Sequence, residues 1–155
     1  MKWLIVALIL ALSPASSAFA ADAGPACEVA AQYVQIIQQG KYQEVGNLFA
    51  GDAVFYNPQG RILRGRAPIK AFYSAFLGAS TPTVRAARFT EDRTHRVCVM
   101  ELETRMHQDD KGRWSNSADG NYTLSAIDRM MVNADGKIAH MIVYLAPATR
   151  WQDRP

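Results

Sequence analysis

In the segment NYTLSAIDRMMVN, Asn121 to Asn133, the residues Tyr122, Leu124, Ala126, Asp128, Met130 and Val132 share one face if the chain is extended there. Asp128 is the only charged member of that row. A carboxylate on an apolar face loses hydration that nothing nearby returns. Its pKa therefore rises unless a cation or several donors meet it, and the neutral acid can then donate a proton in a hydrogen bond. Tyr33 is the natural companion, because it lies on the apolar stripe of a helical segment and a buried phenol also seeks a partner. Two acidic O–H groups in a dry cavity suit a ligand oxygen that carries or develops negative charge. The same residues also fit a plain structural role, with Asp128 holding a backbone group and Tyr33 packing.

A third polar group stands in FYNPQG, Phe55 to Gly60, where Asn57 ends a predicted strand just before a Pro-x-Gly turn. An amide donates and accepts hydrogen bonds, but it cannot take up and return a proton as a carboxylate does. Elsewhere the chemistry is sparse. His95 and His107 show no metal-ligand spacing with each other or with the cysteines, so neither a metal site nor a cofactor is expected. His140 alternates with Ala139, Met141, Val143 and Leu145 and is expected to point away from any pocket.

Positioning these groups requires an ordered set of elements. A helix is predicted over Ala26 to Gln39, with Val29, Tyr33 and Ile37 one turn apart and Gly40 ending it. A shorter helix is predicted over Tyr42 to Phe49, then a strand over Ala53 to Asn57 that stops at Pro58. A third helix, Ala67 to Leu77, has Pro68 in its first turn and Ile69, Phe72, Tyr73 and Phe76 on one stripe. Strands follow over Val84 to Glu91, Arg96 to Met106, Asn121 to Asn133 and Lys137 to Leu145, joined by polar or Gly-containing turns. Helices first and antiparallel hairpins last indicate an α+β fold, one curved sheet folded around helices.

Residues 1–20, MKWLIVALILALSPASSAFA, read as a secretory signal: one Lys, an apolar run, then small residues, with cleavage expected after Ala20. The run is too short to span a bilayer and no later segment approaches the roughly 20 apolar residues a transmembrane helix needs, so no stable membrane insertion is expected. The product is an exported, periplasmic or secreted protein of about 135 residues, 21–155, one domain in size. Its formal charge falls from +3 to about +2 when Lys2 leaves, and with basic residues dispersed along the chain no nucleic-acid partner is indicated. RILRGR, Arg61 to Arg66, is the one basic cluster, read as a solvated loop or as a contact for an anionic ligand. Export permits a disulfide. Cys98 alternates onto the inward row with Met100, Leu102 and Met106, facing the helical layer that holds Cys27, so a Cys27–Cys98 bridge and two buried thiols both fit.

Order and spacing together bear a resemblance. The segment from Tyr33 through YVQIIQQGKYQEVGNLFAGDAVFYNPQG, then GRAPIKAFYSAFL, and AID at Ala126 to Asp128 followed by NADGKIAHM, resembles the ketosteroid isomerases. These sit within the nuclear transport factor 2-like, or SnoaL-like, group of cone-shaped domains. The resemblance covers nearly all of residues 21–155, with a longer hairpin around His107 to Gly120. It implies three N-terminal helices packed on a curved, mostly antiparallel sheet. It also implies an oxyanion hole formed by Tyr33 and a protonated Asp128, this family being itself the established case of a carboxyl kept neutral by an apolar site. The family's proton-moving aspartate matches Asn57.

Three functions follow as expectations. The first is a pocket protein that binds a small, largely apolar or steroid-like molecule through Tyr33 and Asp128, with Asn57 in the base position. Its walls would be Phe55, Phe72, Phe76, Met100, Leu124, Met130 and Met141, the methionines making the pocket adaptable. The second is an active isomerase, dehydratase or cyclase-like enzyme in which Asp128 is acid or base. The third is a non-catalytic interaction module with a filled cone that forms a homodimer through the outer row Ser125, Ile127, Arg129 and Met131.

Overall fold

A computed structural model describes residues 24–80, 83–116, 120–146 and 149–150; the expected signal segment and its cleavage point lie outside the described residues. Helix α1, Pro25–Gln38, starts with Pro at its first turn, where a missing N–H costs nothing. Its N-cap, Gly24, has no side chain to offer. The free Ala26 N–H instead donates to Glu91 Oε1 at 2.8 Å, so a carboxylate from a distant strand supplies the cap. The stripe Cys27, Ala30, Tyr33, Val34 and Ile37 is buried, and Gly40, at φ +70°, turns the chain out of the helix.

The second helix is shorter than the sequence predicts. α2 spans Tyr42–Val45, a 3₁₀ turn covers Gly46–Leu48, and β1 already begins at Phe49 and runs to Tyr56. The apolar spacing of Val45, Leu48 and Phe49 is real, but Phe49 is buried from a strand. Gly46 lies so close to the helix that carries Lys70 that a Cβ there would meet Lys70 Cβ at 2.5 Å, a close approach that requires glycine. α3 spans Arg66–Ser80. Three short strands lie outside the predicted elements: β2, Ile62–Arg64, before α3; β5, Trp114–Asn116; and β8, Thr149–Arg150.

The remaining strands are β3 (Thr83–Glu91), β4 (Val97–Gln108), β6 (Tyr122–Val132), β7 (Ile138–Leu145) and β8 (Thr149–Arg150). The sheet runs β2-β1-β7-β6-β4-β3, antiparallel except between β1 and β7, with β5 on β4 and β8 on β6. Register shifts in the β1–β7, β3–β4 and β6–β7 ladders bend the strands, as an extra residue on one side of a ladder does, and let the sheet wrap the helices. The fold is thus α+β, three helices on a curved, mostly antiparallel sheet.

Alternation fixes what faces inward. On β4, Cys98, Met100 and Leu102 are buried, while Glu101 is exposed and Glu103 bridges Arg85 on the outer side. Cys27 and Cys98 are joined by a disulfide that ties α1 to β4 across 71 residues. A link of that span restricts the unfolded chain and contributes on the order of 4 kcal/mol to stability. It also fixes the helix that carries Tyr33 against the strand beside β6, which carries Asp128.

Candidate functional site

Between the helices and the sheet is a cavity of about 230 Å³, so the cone is not filled and the filled-cone expectation does not hold. Helix residues Tyr33 and Ile37 of α1 and Phe72, Tyr73, Phe76 and Leu77 of α3 form one side. Phe55 and Pro58 come from β1 and the turn after it; Val84, Leu102, Thr104, Leu124, Ala126, Asp128, Val143 and Leu145 come from the sheet. Among the described residues only Tyr33, Tyr73, Thr104 and Asp128 bring polar groups to that lining.

Three of those polar groups converge. Tyr33 donates its O–H to the Tyr73 oxygen at 3.2 Å, and Tyr73 in turn donates toward Met141 Sδ at 3.6 Å. The two rings meet edge-on at 5.8 Å, and Tyr73 stacks on Phe55 at 5.3 Å, which holds its ring in place. Asp128 is 1% exposed, and its Oδ1 has no hydrogen-bond partner among the described residues. Burial pushes its pKa up from 3.8 to about 7, with the neighbouring Tyr33 hydroxyl opposing the rise. Burial likewise raises both phenols well above 10; for Tyr33 the neighbouring Tyr73 and Asp128 add to it, and for Tyr73 Asp128 does.

This arrangement can rotate its protons cheaply. A thioether is a weak acceptor, so the Tyr73 O–H loses little by leaving Met141 Sδ and turning to the Tyr33 oxygen. Tyr33 is then free to aim its own O–H at a ligand oxygen, beside the acid proton of Asp128. Two donors in an apolar enclosure bind an oxygen of growing negative charge far better than water-exposed donors would.

Asn57 is placed differently. It is 4% exposed, and its Oδ1 accepts the backbone N–H groups of Gln59 (3.1 Å) and Arg61 (2.8 Å), while its own N–H donates to the Arg61 carbonyl at 3.0 Å. Its side-chain acceptor thus closes the turn, and Pro58 rather than Asn57 reaches the cavity lining.

Phe55, Phe72, Phe76 and Leu124 line the cavity as the sequence suggests. Met100, Met130 and Met141 do not. All three are fully buried in packed core, because the inward rows of β4, β6 and β7 continue past the hollow part of the cone. The methionines form a solid floor rather than an adaptable wall; Met141 Sδ meets the Tyr73 hydroxyl, and Met100 pairs with Asp128 across the β4–β6 ladder. Tyr73 is the site residue that the sequence reading left among ordinary core. The signal was present: a phenol on an apolar helical stripe, the same argument that singled out Tyr33. His140 lies on the outer side, half-buried, its ring 5.2 Å from Tyr56, with its pKa lowered by burial and by Arg129.

A SnoaL-like domain profile matches residues 30–141. The chain belongs to the SnoaL-like family. A curated relative of this SnoaL-like chain, the steroid Δ-isomerase of Nocardioides simplex, is 30% identical over 119 residues, covering 76% of this chain and 86% of the relative. Among solved structures, the epoxide hydrolase/cyclase-like enzyme SalBIII of salinomycin pyran-ring formation superposes with a TM-score of 0.65 at 18% identity, over 81% of this chain and 95% of the other. RV0760c from Mycobacterium tuberculosis, in complex with estradiol-17β-hemisuccinate, gives 0.65 at 19% identity, over 81% and 98%. These two likenesses establish the fold.

Proposed function

We propose that this SnoaL-like chain is an exported pocket protein that binds a small, largely apolar molecule, presenting the Tyr33 and Asp128 O–H groups to a ligand oxygen as an oxyanion hole. The observation that carries the reading is the orphaned, buried Oδ1 of Asp128 in the lining of an apolar cavity. Buried polar groups without partners are rare, and one aimed into a cavity is accounted for by a ligand that completes it. The steroid isomerase relative and the estradiol derivative held by RV0760c support an apolar, ring-built ligand. Asn57 in place of a carboxylate removes a general base, so the site stabilises an enolate-like oxygen without readily generating one.

The test is binding of an equilenin-like phenol, followed by the change in its fluorescence. Wild type binds it, and Asp128→Leu and Tyr33→Phe each weaken it by about tenfold or more, the loss of a hydrogen bond to a charged group. Equal affinity in all three proteins removes the oxyanion-hole reading.

A second reading rests on the same acid. A pKa of about 7 places Asp128 where a general acid or base works best at neutral pH, so it could itself transfer the proton in an isomerase, dehydratase or cyclase-like reaction. Turnover of a steroid enone or epoxide by wild type, abolished in Asp128→Asn, is the result that favours it.

A further inference from the structure

The cavity is small for its ligand class. Pockets for drug-sized molecules span roughly 300–1,000 Å³, so a space of about 230 Å³ seats only part of one and the remainder must leave through the mouth. Beside the cavity, on the α3 side, is an open groove. Phe72 and Phe76, one helical turn apart and stacked at 5.3 Å with their planes 11° apart, line both spaces and form the wall between them. Leu63, Pro68 and Ala75 continue the groove as an apolar surface, and Phe76 is 41% exposed.

Among the described residues one charged side chain, Arg61, lines the groove. Among the described residues no carboxylate pairs with it: the ion pairs are those of Arg85, Arg88, His95 and Arg113. Its neighbour Arg66 is committed, donating from Nε to the Phe49 carbonyl at 2.8 Å. The backbone of Arg61 is held by the two hydrogen bonds to Asn57, in the turn whose Pro58 lines the cavity. One tight turn thus puts an apolar residue on the inside and a cation on the outside.

We propose that the groove is a second binding subsite, which takes the anionic tail of an elongated amphipathic ligand whose ring body fills the cavity. This rests on the proposed function, since it assumes that the oxygen-bearing end of the ligand meets Tyr33 and Asp128. The ligand class is then an apolar ring system with a phenol or enol oxygen at one end and a carboxylate or sulfate at the other. Asn57 acquires a positioning role as the cap that sets Arg61 at the groove.

Estradiol and estradiol-17β-hemisuccinate share the phenol and rings and differ only in the acid tail at the far end. Their dissociation constants are measured for wild type, Arg61→Gln and Arg61→Glu at low and high salt. Wild type is expected to favour the hemisuccinate by about fivefold at low ionic strength, and salt should erode the preference. The ratio should fall to about one in Arg61→Gln and below one in Arg61→Glu. An unchanged ratio across the three proteins overturns the subsite. So does loss of self-association in Arg61→Glu with the ratio unmoved, which would give the groove to a second copy of the chain. Failure of wild type to bind either steroid instead overturns the proposed function, and the subsite with it.

Discussion

Asn57 and Asp128 are two buried polar side chains that differ by one atom type at their tips and have opposite fates. The Asn57 oxygen accepts two backbone N–H groups, whereas Oδ1 of Asp128 accepts none and lies on the cavity. The first polar group is spent on architecture and the second is left for a ligand. Burial alone does not mark a site; burial with an unmet hydrogen-bonding demand on a cavity does.

The strongest way to break this contrast is to give Asn57 the chemistry it lacks. In Asn57→Asp, one carboxylate oxygen can keep the turn bonds while the other replaces the amide nitrogen as a base. Steroid Δ-isomerase activity should rise by roughly 10² to 10⁴-fold, the usual contribution of a general base. No gain in a protein that still binds the phenol would mean that the turn holds the side chain out of reach.

The converse exchange removes the titration. The folded pKa of Asp128 is raised from 3.8 to about 7, so between about pH 4 and 7 the folded state keeps a proton that the unfolded state has released. Stability associated with Asp128 is therefore fully present below about pH 4, falls as pH rises, and levels off above about 7. A shift of this size corresponds to on the order of 4 kcal/mol. Urea unfolding of wild type and Asp128→Asn should show the variant gaining relative stability across that window, and parallel curves would sink the assignment.

A smaller effect sharpens the architectural half. Asn57→Ala leaves the N–H groups of Gln59 and Arg61 without their acceptor and should cost about 1–3 kcal/mol by thermal or urea unfolding. Phenol affinity should change less than in Asp128→Leu. The smallest change expected is in Tyr73→Phe, which removes the oxygen that accepts from Tyr33 and should weaken phenol binding only about two- to fivefold, since Tyr33 keeps its own donor.

The fold and the chemistry were legible in the sequence to different depths. Period-two alternation was enough to put Asp128 on the inward row of β6 and Cys98 opposite α1, because parity along a strand depends on backbone geometry alone. Parity says which face a residue takes, but not how far along the cone it lies. That is why Met100, Met130 and Met141 read as pocket wall and proved to be floor. Tyr73 was hidden for the related reason that an apolar helical stripe looks the same whether it covers a cavity or a packed core. The turn role of Asn57 was written locally in Asn-Pro-x-Gly, a sequence that favours a side chain bonding to backbone two residues on. Resemblance drew attention to the missing carboxylate instead. The outer groove joins β2 to α3, and no local pattern announced β2 as a strand.

The claim beneath both functional readings is that Asp128 holds its proton near neutrality inside an apolar enclosure. Carbon-13 NMR of the Asp128 carboxyl, followed from pH 3 to 9 and assigned with Asp128→Asn, measures this directly. The account predicts a midpoint of about 7. A midpoint near 4, the value of an aspartate in water, would contradict it.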